Sequence, residues 1–96
     1  MKFRLSADAR DDLRGVLEYI TSSGDPVVAD LVIDRVYASL RTLARFPNLG
    51  HQGTVPGTYE LLVPRLPFVI IYRVDLGNDD ELIALRVYHT AQSRNA

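Results

Sequence analysis

The sequence predicts an α+β fold in which two N-terminal helices pack on a small antiparallel sheet, in the order β-α-α-β-β-β. Three observations carry that expectation. Apolar residues recur at helical spacing through two successive segments in the first half of the chain. Three strand-like segments follow in the second half, and the breaks between elements carry glycine, proline, asparagine and aspartate. A chain of 96 residues with 47% hydrophobic content has room for one core, so residues 1–96 are expected to form a single domain.

Residues Lys2 to Leu5 alternate as a short strand. Ser6 then caps a helix whose apolar positions are Ala9, Leu13, Val16, Leu17 and Ile20, with Asp8 placed where the helix dipole favours an anion. Ser22, Ser23 and Gly24 supply its stop. Asp25-Pro26 restarts a helix, because aspartate accepts from orphan amides and proline in the first turn forfeits no hydrogen bond. This second helix is expected to run from Pro26 to about Phe46. Its stripe of Val28, Leu31, Val32, Val36, Leu40 and Leu43, widened by Ile33 and Tyr37, implies contact with more than one neighbour: the first helix and the sheet, or a partner in an exposed groove.

Residues 47–57 hold three glycines and two prolines with little apolar periodicity and read as a loop. The strands expected beyond it are Thr58 to Val63, Pro67 to Val74 and Glu81 to His89. The continuous run Phe68-Val69-Ile70-Ile71-Tyr72 marks the central strand. In the last strand Ile83, Leu85, Val87 and His89 alternate with Leu82, Ala84, Arg86 and Tyr88. Gly77 and Asn78 are expected to provide the positive backbone dihedrals of the hairpin between the last two strands.

Composition excludes several functions. Without cysteine there is no disulfide, thiolate metal site or cysteine nucleophile. No apolar run is long enough to span a bilayer and no secretory leader is visible, so a cytoplasmic protein with no membrane partner is expected. Two distant histidines and scattered carboxylates give no metal-ligand spacing, and no cofactor is implied. The net charge of −1 provides no global attraction to nucleic acid. Charge is nevertheless segregated. Residues 1–34 carry four basic and seven acidic side chains, residues 35–73 carry Arg35, Arg41, Arg45, Arg65 and Arg73 against Glu60 alone, and residues 74–96 carry two and four. A local basic surface in the middle of the chain follows.

The order of elements, the Phe46-Pro47-x-x-Gly50 end of the second helix, and the segments Tyr59-Glu60-Leu61-Leu62-Val63, Phe68-Val69-Ile70-Ile71-Tyr72-Arg73-Val74 and Leu85-Arg86-Val87-Tyr88-His89 together resemble the RelE/ParE superfamily of type II toxins, over essentially the whole chain. Members that resemble RelE cut messenger RNA on the ribosome. Members that resemble ParE poison DNA gyrase without being nucleases. The resemblance implies growth arrest or plasmid stabilisation, a cognate antitoxin whose extended or helical segment wraps the toxin, and operator DNA bound only through that antitoxin.

A nuclease of this type needs a group to take the 2′-hydroxyl proton, a group to protonate the leaving oxygen, and cations for the phosphorane-like charge. The candidates are Arg65, Arg73, Arg86, Tyr88 and His89. By strand parity Arg86 and Tyr88 share one face while His89 points with the apolar set, which divides such a site. The alternative for His89 is a half-buried ring bonded to backbone; for Arg73 and Arg86 it is an ion pair with helix carboxylates or with the Asp79-Asp80-Glu81 turn. Ribosome-directed members are generally rich in lysine, whereas this chain has only Lys2. The chain is therefore expected to stand closer to ParE, with gyrase as target and Arg65, Arg73 and Arg86 as binding residues. A ribosome-dependent endoribonuclease acting on mRNA, or a toxin-derived binding module without activity, remain as alternatives.

Overall fold

A computed structural model describes residues 1–77 and 79–91. The elements are β1 (Lys2–Leu5), α1 (Ala7–Ser23), α2 (Pro26–Arg45), β2 (His51–Gln52), β3 (Tyr59–Leu62), β4 (Phe68–Asp75) and β5 (Glu81–His89). They build an α+β fold whose five-stranded sheet has the order β1-β5-β4-β3-β2. β4 is central, as its continuous apolar run predicts.

Two features depart from a purely antiparallel four-strand sheet. β1 pairs parallel to β5, with Phe3 opposite Leu82 and Leu5 opposite Ala84. The two helices between these strands supply the long crossover that a parallel pair needs. Within the expected loop, His51–Gln52 forms a two-residue strand antiparallel to Tyr59–Glu60. It is positioned by a buried tyrosine: the Tyr72 hydroxyl donates to Pro47 O at 2.8 Å and accepts from Gly50 N at 3.1 Å. Gly50 is required there, since a Cβ would stand 2.5 Å from the Tyr72 hydroxyl oxygen and 2.7 Å from Glu60 O.

Both helix starts follow local chemistry. The Ser6 side chain accepts from Ala9 N and the Asp25 side chain from Val27 N, each satisfying an amide that has no partner inside its helix. The core lies between the helices and one sheet face. Leu13, Val32, Val36, Leu40 and Leu43 meet Phe68, Ile70 and Tyr72 of β4 and Leu82, Ala84 and Val87 of β5. Burying each large aliphatic side chain contributes roughly 1.5–3 kcal/mol. The beginning of α2 escapes this burial: Val27 is 71% exposed, and Val28 and Leu31 are each 45% exposed. Only the later part of the apolar stripe is wedged between α1 and the sheet.

The alternation of β5 changes midway. Ile71 pairs with Arg86 and Tyr72 with Ala84, so Leu85 is an extra residue, a β-bulge. One inserted residue inverts the facing of everything beyond it. Leu82 and Ala84 therefore share the helix-side face with Val87 and His89, and Ile83 joins Arg86 and Tyr88 on the other. This corrects the simple parity that grouped Ile83 and Leu85 with Val87. In the β4–β5 turn a positive φ of 44° falls on Asp80, not on Gly77; Asn78 lies outside the described residues. Asp80 Oδ1 accepts from Gly77 N at 3.2 Å and closes the turn.

Candidate functional site

β1 ends opposite Ala84, leaving the second half of β5 without a strand on that side. The chain entering α1 covers the gap. Ser6 N donates to Ala84 O, and the Ser6 hydroxyl donates to Leu85 O at 2.9 Å. One turn into α1, Asp12 reaches the same edge. Its Oδ2 accepts from Arg86 Nε at 2.8 Å and from Val87 N at 2.9 Å, and its Oδ1 accepts from Arg86 Nη2 at 3.0 Å. The carboxylate thus clamps α1 to β5 through a bidentate arginine and a backbone amide. The Arg86 guanidinium also lies 4.9 Å from the Tyr88 ring centroid. The hydrogen bonds to Asp12 raise the Arg86 pKa above that of an ordinary arginine, and burial opposes them only in part.

The other candidates are dispersed. Arg73 approaches Asp75 of its own strand at 3.7 Å, with both side chains well exposed. Arg65 occupies the β3–β4 turn at a φ of 65° and is exposed. It precedes β4 while Arg73 sits near the strand's far end, so these two arginines do not converge. His89 stacks edge-on against Phe68 with ring centroids 5.3 Å apart, and its Nδ1 accepts from Ala91 N at 2.9 Å. That nitrogen is occupied by a backbone donor. The other histidine, His51, has its Nε2 3.8 Å from the buried Glu60 carboxylate. Of the five residues proposed for nuclease chemistry, Arg86 and Tyr88 are brought into contact. Among the described residues, no three His, Asp or Glu side chains are grouped so that they could hold a metal ion.

Asp12 was not anticipated from sequence. Its neighbour Asp11 has the same residue type and makes only an exposed contact with Arg14, so nothing local distinguishes the two. The structure also shows a groove of about 810 Å³ between α1, α2 and the β4–β5 end, lined by Asp12, Val16, Tyr19, Val28, Phe68 and His89 among others. From α2 it takes Val28 and Val32 of the apolar stripe, whereas Tyr37, which widens that stripe, packs near Phe3 of β1.

The sequence matches the family described as the ParE toxin of type II toxin-antitoxin systems, parDE, over residues 3–94. The chain belongs to the ParE toxin family. It is similar to the Sinorhizobium fredii (strain NBRC 101917 / NGR234) protein named "Putative toxin Y4kP", with 31% identity over 65 residues. That match spans 68% of this chain and 66% of the relative, just under two thirds of its length. The fold is shared with a chain of the chromosomal ParDE TA system from P. aeruginosa at a TM-score of 0.78 and 22% identity, covering 93% of this chain and 95% of the other. It is also shared with a chain of the RelBE2 toxin-antitoxin complex from Mycobacterium tuberculosis at a TM-score of 0.60 and 23% identity, covering 92% and 95%. The same fold is thus found in a chain of a ParDE system and in a chain of a RelBE2 complex, and the fold alone leaves the target open. Among the described residues no helix is long and apolar enough to cross a membrane.

Proposed function

We propose that this ParE family member acts as a single-domain toxin in the cytoplasm, arrests growth by inhibiting DNA gyrase through protein contact, and is neutralised by a cognate antitoxin. The observation that carries this over mRNA cleavage is the Asp12–Arg86 clamp. A cation meant to meet a developing phosphorane charge is most useful when its donors face the substrate. Here two of the guanidinium nitrogens of Arg86 are held by Asp12. The imidazole that would act as base or acid has its Nδ1 engaged by Ala91 N, and Arg65 and Arg73 lie apart. Membership of a family defined by type II toxins supports the antitoxin, as do two structural relatives that are parts of ParDE and RelBE2 assemblies. Operator DNA is then bound through the antitoxin, not through this chain.

Purified gyrase, the toxin and its antitoxin decide between the readings. Supercoiling should fall with increasing toxin and recover when antitoxin is added. Unchanged supercoiling at excess toxin, together with cleavage of ribosome-bound mRNA, would overturn the proposal.

A further inference from the structure

Helix α2 is flanked by a groove on each side, and the two are lined by different charged residues. The groove towards α1 contains Asp11 and Asp12 in its lining. The smaller groove towards β3, about 210 Å³, is lined by Arg35, Ala38, Thr42, Leu49, Leu61 and Pro64 with Ser39, with no carboxylate among these described residues. Leu49 in that lining is 55% exposed, as is Phe46 just past the end of α2.

Of the five described arginines without an ion pair, Arg35, Arg41, Arg45 and Arg65 lie on α2 or in the β3–β4 turn and Arg10 lies on α1. Arg4, Arg14, Arg73 and Arg86 each hold a carboxylate of this chain. Arg35, Arg45 and Arg65, on or next to the α2–β3 groove, form no ion pair among the described residues; the Arg45 guanidinium lies 5.5 Å from the Phe46 ring centroid. Exposed apolar and aromatic side chains rimmed by arginines without internal counter-charges have the composition of a protein-binding surface. A long polyanion is disfavoured, because it would have to continue past the acidic residues of α1, whereas a short acidic segment with an apolar anchor would not.

We propose that the α2–β3 groove, with Arg35, Arg45 and Arg65 at its rim, carries the toxic contact and takes an acidic, apolar-anchored segment of the target protein. This rests on the gyrase reading above. An apolar side chain of the target seats against Leu49, Leu61 and Pro64, and its flanking carboxylates pair with the arginines.

The full-length R35E/R45E variant, checked for folding by circular dichroism, tests this against purified gyrase and, separately, against the antitoxin. Gyrase binding should weaken about tenfold or more, with a matching loss of supercoiling inhibition, while antitoxin binding and the R10E/R14E control change less than about twofold. Wild-type affinity for gyrase should also fall as salt is raised from roughly 0.05 to 0.3 M, where screening shortens the reach of exposed charges. That salt series, together with the neutralised variant R45Q/R65Q, stands in if the charge-reversed protein does not fold. Gyrase binding unchanged in the variants and insensitive to salt would overturn the inference alone. A loss confined to the antitoxin, or to ribosome co-sedimentation, would also overturn it and assign the groove to that partner. Wild-type toxin that leaves gyrase untouched would remove the gyrase reading itself.

Discussion

Replacing Asp12 by alanine removes the acceptor of three hydrogen bonds, and the cost is divided unevenly between the two donors. Val87 is 2% exposed, so its amide loses its partner in a dry environment. A buried donor left unsatisfied costs about 1–3 kcal/mol. The Arg86 side chain is 41% exposed and can turn to water, so the ion pair itself contributes only about 0–1 kcal/mol after screening. Asp12→Ala should therefore destabilise the fold by about 2–3 kcal/mol in total, which for a domain of this size lowers Tm by about 10–20 °C. Asp12→Asn keeps one oxygen for Val87 N and should cost about 1 kcal/mol, and Arg86→Ala, which leaves the amide bond in place, a similar amount. Urea titrations of the three single variants and of Asp12→Ala/Arg86→Ala measure these differences directly. If Asp12→Asn or Arg86→Ala proved as costly as Asp12→Ala, the backbone amide would not be the principal beneficiary and the reasoning would fail.

Three further outcomes follow from the same geometry. Burial raises the Tyr72 pKa above its ordinary 10.0, the bond from Gly50 opposing this only in part. The stability tied to its neutral hydroxyl is thus fully present below about pH 10 and is lost as pH rises through the folded-state value. Ultraviolet titration should show one of the five tyrosines ionising late, and Tyr72→Phe should abolish that late step while costing about 1–2 kcal/mol. Gly50→Ala should destabilise by more than about 1 kcal/mol in a thermal melt, because the new methyl meets backbone oxygen as well as the Tyr72 ring. His89→Ala and Tyr88→Phe should leave toxicity in an induction assay within about twofold of wild type; loss of toxicity with retained folding would return both residues to a catalytic role.

The features written locally in the chain were legible without coordinates. Ser6 and Asp25 announce both helices, and the apolar run at Phe68–Tyr72 announces the central strand, because caps and hydrophobic periodicity act over a few residues. What was not legible depends on pairing across the chain. The parallel partnership of β1 with β5 joins residues nearly eighty positions apart. The bulge at Leu85 exists only relative to β4, since Leu85 itself suits a regular strand and alternation predicts no interruption. The Asp12 clamp needs both: β1 must stop at Leu5, opposite Ala84, for the amide of Val87 to require a partner, and α1 must lie over that edge for a carboxylate to reach it. The possibility that Arg86 pairs with a helix carboxylate was visible in sequence; which carboxylate, and its second task at the strand edge, was not.

The segregation of charge acquires its meaning from the same arrangement. A net charge of −1 describes no surface of the molecule. Folding brings Arg86, from the acidic C-terminal part, onto Asp12 of the acidic N-terminal part, so one positive charge is used within the acidic side of the protein. The arginines of the middle segment have Glu60 as the one acidic side chain in their own stretch of sequence, and it is 4% exposed within β3. Arg73 pairs with Asp75, just beyond that stretch, so it is the charges of Arg35, Arg45 and Arg65 that remain at the α2–β3 surface while those of Arg4, Arg14, Arg73 and Arg86 are offset nearby. A partner approaching this protein meets ion-paired carboxylates on the α1 side of α2 and arginines with no ion pair among the described residues on the β3 side. A target seated on the β3 side of α2 is therefore separable by charge from a partner seated on the α1 side, and charge reversal at Arg35 and Arg45 should leave binding on the α1 side intact.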